Sequence, residues 1–152
     1  PEYGIRDSCA NKVELDLEKT HDHSYYRYTN DINMTVEECA QHIINKIKPY
    51  HQQGIEIIGD KTQIIHRLGI GTGACTDVFE MYEEGADACL VSDDGVSNWI
   101  GVQWAVDHDI PLIVINHMTC EAPGMEHMVE YMSKQSQKSH LLLYLMIMDF
   151  VI

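Results

Sequence analysis

Apolar and polar positions along the chain change rhythm several times, and each change predicts an element. Ile5, Cys9 and Val13, spaced by four, make a weak helical stripe over residues 1–14. Residues 15–33 are polar and charged, with Tyr25, Tyr26 and Tyr28 clustered, and read as a loop or connector. Thr35 and Glu38 then form a capping box, in which hydroxyl and carboxylate satisfy free amides of a first helical turn. Val36, Ala40, Ile43, Ile44 and Ile47 give the helix that follows one apolar face. Lys46 and Lys48 suit the negative end of its dipole, and Pro49 and Gly54 end it.

Short apolar runs then alternate with helical spacing. Strands are predicted at Ile55 to Ile58, closed by a Gly59-Asp60 turn, at Ile64 to Ile70 and at Asp87 to Val91. A fourth at Ile110 to Ile115 has a continuous β-branched run that suits a strand covered on both faces. Leu141 to Ile152 reads as a fifth. Between them, Thr76 can cap a short helix through Val78, Phe79 and Tyr82, with Gly85 as its stop. A helix over Ser97 to His108 carries Ile100, Trp104 and Ala105, and another is expected from about Pro123 to Met132, with Pro123 in its first turn. This order predicts an α/β fold: a mostly parallel sheet of about five strands with helices packed on it and right-handed crossovers. The 152 residues suit one domain, and no repeat, linker or low-complexity segment breaks it.

Charge narrows the partners. Ten Lys and Arg face 24 Asp and Glu, a formal net charge of −14, which excludes a nucleic-acid partner that needs clustered positive charge, and favours cations. The apolar run at Leu141 to Ile152 is too short to span a bilayer as a helix, so no membrane role is expected. Five cysteines, Cys9, Cys39, Cys75, Cys89 and Cys120, include no C-x-x-C pair, and a reducing, cytoplasmic setting is expected. Cys39 and Cys89 fall on core faces. Cys75 and Cys120 fall in predicted loops, where they could be reactive, although an unremarkable thiol is the simpler reading. The start Pro1-Glu2-Tyr3, with no initiator methionine, is that expected of a fragment or processed form.

Candidate chemistry gathers at predicted strand ends, where ligands bind in such sheets. Three loops leave those ends: Gly69-Ile70-Gly71-Thr72-Gly73-Ala74, Ser92-Asp93-Asp94-Gly95, and the stretch holding His117 and Glu121. Asp93 or Asp94 could approach His117 and Glu121. Mixed imidazole and carboxylate donors suit zinc, iron or manganese better than calcium. Such a metal supports hydrolysis, with Glu121 and Asp94 as the candidate catalytic carboxylates. Simpler readings compete with this one. His-x3-Glu is common by chance, an aspartate at 93 or 94 could cap the next helix, and the glycines could serve only a tight turn. The rival reading takes Gly69, Gly71 and Ala74 as G-x-G-x-x-A, with Gly71 and Gly73 approaching a nucleotide and Asp93 its ribose. His21-Asp22-His23, in a polar loop, is read as solvated.

The stretch from Arg67 to Met132 resembles the C-terminal half of the NIF-three-like dinuclear metal-centre family, also called YbgI-like, whose members often carry the label type 2 GTP cyclohydrolase I. The residues that carry the resemblance are Gly69 to Ala74, Gly85 to Gly95, and Ile110 to His117 with Glu121 and Gly124-Met125. Tyr3 to Ala10 looks like the end of the family's first half, with residues up to 33 as connector, and 34–152 as the C-terminal α/β half. The resemblance implies two metal ions per complete subunit and a ring-shaped homo-oligomer, usually a hexamer. It also implies a small-molecule or nucleotide substrate for the cyclohydrolase type of activity. It makes His117 and Glu121 metal ligands. The family's remaining ligands, an aspartate and a histidine pair, are expected upstream of Pro1. Where the family has a Thr-Gly-acid motif with following histidines, this chain has Ser92-Asp93-Asp94-Gly95 and Asn98-Trp99. A non-catalytic metal-binding scaffold is the remaining alternative.

Overall fold

The computed structural model describes residues 4–19 and 25–135. In chain order the elements are α1 (Ile5–Lys12), β1 (Arg27–Tyr28), β2 (Met34–Thr35), α2 (Val36–Ile47), a 3-10 turn (Lys48–Tyr50), β3 (Glu56–Ile58), β4 (Ile64–Ile65), β5 (Leu68–Ile70), α3 (Val78–Glu83), β6 (Ala88–Ser92), α4 (Trp99–Asp107), β7 (Leu112–Ile115) and α5 (His117–Gln135). One sheet has the order β1-β5-β6-β7-β3. Its centre, β5-β6-β7, is parallel, and β1 and β3 close the two edges antiparallel. β2 and β4 form a separate two-stranded ladder.

Strand alternation sorts the side chains between the two faces. Ala88 and Leu90 of β6, with Ile113 and Ile115 of β7, join a core with α1, α2 and α5. Cys89, Val91, Leu112 and Val114 join the opposite core with α3 and α4. Every residue of β6 and β7 is buried, as the continuous apolar runs predict for strands covered on both faces. α2 forms as expected. Thr35 Oγ1 accepts from the Glu38 amide at 3.1 Å, and the Glu38 carboxylate accepts from the Thr35 amide at 2.9 Å. Val36, Cys39, Ala40, Ile43 and Ile47 are its buried face. Fully burying one such isoleucine contributes about 1.5–3 kcal/mol.

Four expectations need correcting. The strand expected over Ile64 to Ile70 is two strands, because the Asp87 carboxylate accepts the His66 and Arg67 amides at 2.8 and 2.9 Å and turns the chain between them. The residues read as connector include β1, held at the sheet edge. Arg67, stacked 4.1 Å over the Tyr28 ring, donates twice to Glu18 at 2.5 and 2.8 Å. Asp77, not Thr76, caps α3, accepting from Phe79 and Glu80, while the Thr76 hydroxyl donates to the Gly73 carbonyl. α5 begins at His117, so Pro123 lies inside the helix rather than in a first turn. Its missing N–H forfeits one helical hydrogen bond. That loss is offset by burial of Cys120, Ala122, Pro123 and Gly124, the last of these packed against Ile5 of α1. Leu141 to Ile152 and His21-Asp22-His23 lie outside the described residues.

Candidate metal centre

The parallel register of β6 and β7 sets Ser92 beside Ile115. Asp93, Asp94 and His117 therefore emerge from neighbouring strand ends. The two Asp residues divide their work. The Asp93 amide donates to the Ile115 carbonyl at 2.9 Å, and its Oδ1 accepts the His117 and Asp94 amides at 2.9 Å each. Asp93 thus caps α5, the helix after β7; α4, which follows it directly in sequence, is capped by Asn98. Asp94 is free to face the imidazole. The Ser92 hydroxyl donates to its Oδ1 at 2.5 Å, and its Oδ2 lies 2.7 Å from His117 Nδ1.

On the other side of the ring, His117 Nε2 lies 3.1 Å from Glu121 Oε1, one helical turn along α5. With a carboxylate on each ring nitrogen, both nitrogens can donate only in the protonated ring. The Asp94 hydrogen bond accordingly raises the His117 pKa above 6.5, partial burial opposes this, and the Glu121 charge adds to it. For Asp94, burial pushes upward, but the Ser92 and His117 hydrogen bonds outweigh it and leave the carboxyl below 3.8. All three side chains are partly exposed to solvent.

The same pair fits a cation. Two ligands about 2.1 Å from one metal lie about 3.0 Å apart at right angles and about 3.4 Å apart at the tetrahedral angle of zinc, and the Nε2–Oε1 separation falls between the two. Imidazole nitrogen and carboxylate oxygen suit zinc, iron or manganese. Asp94 on Nδ1 would fix the tautomer that leaves Nε2 free to coordinate. Among the described residues, however, no group of three or more His, Cys, Asp or Glu is arranged to hold a metal. His117 and Glu121 are two donors of a fuller set. Cys120 is not a third. It is buried on the inner side of α5, donates to the His117 carbonyl at 3.0 Å, and has its pKa pushed up to about 11 by burial. It sits in a helix, not a loop. Cys75 is exposed, with Tyr25 Oη 3.2 Å from its sulfur.

The glycine loop lies against the Asp94 loop. A Cβ on Gly95 would meet the Gly73 carbonyl at 3.2 Å and Thr76 Cβ at 3.3 Å. Thr76 already fills the space over Gly71, where a Cβ would meet Thr76 Cγ2 at 2.6 Å. Gly73 has φ +78° and open space around it. Beside this loop is a cleft of about 280 Å³, whose lining includes Cys75, Thr76, Asp77, Phe79, Asn98 and Val102 but no Lys, Arg or His. Ser92 and Asp93 are positioning residues that the sequence did not single out for those roles. Their bonds to Asp94 and to α5 depend on strand register, which leaves no local signal.

Helices on both faces of a mixed sheet, with an acid–imidazole–acid cluster where its parallel strands end, define an α/β protein with a polar centre at the carboxyl edge. The chain belongs to the Duf34/NIF3 (NGG1p interacting factor 3) family, whose model matches residues 1–150. It is similar in fold to the solved protein ybgI, with TM-score 0.69 and 16% identity over 90% of this chain and 53% of that one. It is similar to the Staphylococcus aureus hypothetical protein SA1388, with TM-score 0.66 and 19% identity over 87% and 56%. It is also similar to reduced HcgD from Methanocaldococcus jannaschii, with TM-score 0.66 and 17% identity over 89% and 53%. The chain thus spans about half the length of these structures. No curated protein matches it at a significant level. Among the described residues no helix is long and apolar enough to cross a membrane.

Proposed function

We propose that this chain supplies part of a divalent-metal centre, with His117 Nε2 and Glu121 as ligands and Asp94 as the group that orients the imidazole and can exchange a proton beside it. The observation that carries this reading is the 3.1 Å separation of two unlike donors on one helical turn, with the opposite ring nitrogen held by Asp94 at 2.7 Å. A zinc, iron or manganese ion bound there would polarise a carbonyl or phosphoryl oxygen and activate water, the chemistry of a metal-dependent hydrolase. Within such a reaction Glu121 anchors the ion and Asp94 keeps His117 in the ligating tautomer. The cyclohydrolase type of activity and a nucleotide substrate come only from the family resemblance, as does a ring-shaped homo-oligomer. The five free cysteines support a reducing, cytoplasmic setting. The glycine-loop reading has less support, because Thr76 occupies the space over Gly71 and the neighbouring cleft offers no cation for a phosphate.

The test is metal content by elemental analysis after loading with zinc, iron or manganese, on the wild type, His117→Ala and Glu121→Ala, with circular dichroism as the folding control. Stoichiometric metal lost in both folded variants supports the reading. Metal retained in both, or absent from the wild type, sinks it.

A further inference from the structure

The cleft between the starts of α3 and α4 has no part in the metal reading. It measures about 280 Å³, close to the smallest sites that hold a small molecule. It shares a wall with the imidazole cluster. Asp94 turns its carboxylate to His117, while its carbonyl accepts the Ser97 amide at 3.3 Å, and Ser97 and Gly95 line the cleft.

We propose that this cleft binds a small organic cation, an ammonium or guanidinium group carried on an aromatic or aliphatic body. The site goes beyond the metal reading and does not depend on it.

Three observations set the charge of the ligand. First, the lining includes Asp77 and no Lys, Arg or His. Asp77 Oδ1 accepts the Phe79 and Glu80 amides at 2.9 and 3.4 Å, and Oδ2 accepts from no described residue. A concave site of one sign concentrates the opposite charge, and the formal charge of −14 on the whole chain adds to this. Arg6 does not reverse it. Its guanidinium is stacked 3.7 Å over the Tyr25 ring, and the Tyr25 hydroxyl is what meets the lining residue Cys75.

Second, the two helix starts do not offer an anion site. First-turn amides attract anions when they are free. In α3 the Phe79 and Glu80 amides are taken by Asp77. In α4 the Asn98 side chain takes the Ile100 amide, and the Asn98 carbonyl takes the Gly101 amide at 3.2 Å.

Third, the remaining groups suit a nitrogen cation on an apolar body. Phe79 lines the cleft with its ring braced on Trp104, their centroids 4.6 Å apart. Trp99 is 72% exposed, so its indole is open to solvent one residue from the lining Asn98. Such rings attract ammonium and guanidinium groups. The Thr76 hydroxyl donates to the Gly73 carbonyl, which leaves its oxygen to accept from an N–H.

The experiment is an amide NMR titration of the 152-residue chain in EDTA, near neutral pH, with benzylamine, benzyl alcohol and benzyl phosphate. These probes share one body and differ in charge. Benzylamine, a cation at that pH, should shift the Gly95, Ser97 and Phe79 amides to saturation. Benzyl alcohol should bind there about tenfold more weakly, and benzyl phosphate should leave those amides unmoved. Asp77→Asn removes the charge and keeps the α3 cap, because Asn caps as well as Asp. With folding checked by circular dichroism, it should weaken benzylamine about tenfold and leave benzyl alcohol unchanged. Benzyl phosphate binding more tightly than benzylamine would make the cleft an anion site and overturn the proposal. Equal binding of amine and alcohol, or no effect of Asp77→Asn on benzylamine, would overturn it by showing that charge does not select. Benzylamine shifts spread over the acidic surface, and not centred on the cleft, would overturn it as well. None of these measurements involves a metal, so each failure leaves the metal reading standing.

Discussion

Asp94 Oδ2 and His117 Nδ1 stand 2.7 Å apart although 23 residues separate them in sequence. A βαβ crossover lies between them, and the parallel pairing of β6 with β7 closes the gap. The contact sets the tautomer and the charge of the imidazole together, so it is the natural place to perturb the centre without deforming it.

Asp94→Asn keeps a side chain of the same shape but removes the charge. The His117 pKa should fall towards its ordinary value, as read from the ring proton shifts in an NMR titration. Zinc affinity should drop about 10–100-fold, the usual cost of losing the carboxylate behind a ligating histidine. Calorimetry checks this. An unchanged His117 titration would mean that Asp94 does not govern the ring.

Stability should respond to pH through the same pair. The folded His117 pKa lies above 6.5, so its contribution is complete below 6.5 and is lost as pH rises through the raised value. The folded Asp94 pKa lies below 3.8, so its contribution is complete above 3.8 and is lost as pH falls through the lowered value. Metal-free protein should therefore gain most from the pair between 3.8 and 6.5. Metal binding should run the other way, strengthening as pH rises through the His117 pKa and releasing a proton. Urea melts of wild type and His117→Gln at about pH 5 and about pH 9 isolate the stability part. The difference between the two proteins should shrink at the higher pH.

Gly124→Ala should destabilise the fold. The added Cβ would sit 2.8 Å from Ile5 Cα and 2.9 Å from its Cγ1, forcing α1 away from α5. Overpacking of this kind costs about 1–3 kcal/mol. A lowered urea midpoint with an unchanged slope is the expected reading. No shift would mean that α1 can slide without cost.

Asp93→Ala removes the α5 cap and should cost about 1 kcal/mol, within the range for helix caps. It should also loosen His117, because the Asp93 carboxylate accepts the His117 amide at 2.9 Å. Amide exchange at His117 should quicken more than at residues of α2. Equal acceleration in both helices would indicate a general loss of stability.

What the sequence made legible was what the local pattern encodes. The Thr35–Glu38 box and the Val36 to Ile47 face appear as predicted, because every contact that starts this helix lies within one turn. β6 and β7 were equally plain, their apolar runs needing no partner to be recognised. β1 was not. It has only two residues, and what holds it is pairing with β5 and the contacts of Arg67 with Tyr28 and Glu18, all from distant chain. The start of α5 was misplaced because Pro123 resembles a first-turn residue, whereas Asp93 sets the true start from across the sheet. His117, Glu121 and Asp94 were named from the sequence, and the structure places them in one cluster. That Asp94 rather than Asp93 faces the ring follows from strand register, which the sequence does not display.

Asp93 is bonded in three directions at once: its amide to the end of β7, its carboxylate to the first amide of α5, and the same oxygen to the Asp94 amide. The first two of these bonds cannot survive if the β6 and β7 ends part. The imidazole and its acids thus form one cooperative opening unit with the sheet margin. A breathing motion too small to unfold the domain would take Asp94 from the imidazole and Asp93 from the first amide of α5 in one event, so the ring loses its tautomer lock and its helix cap together.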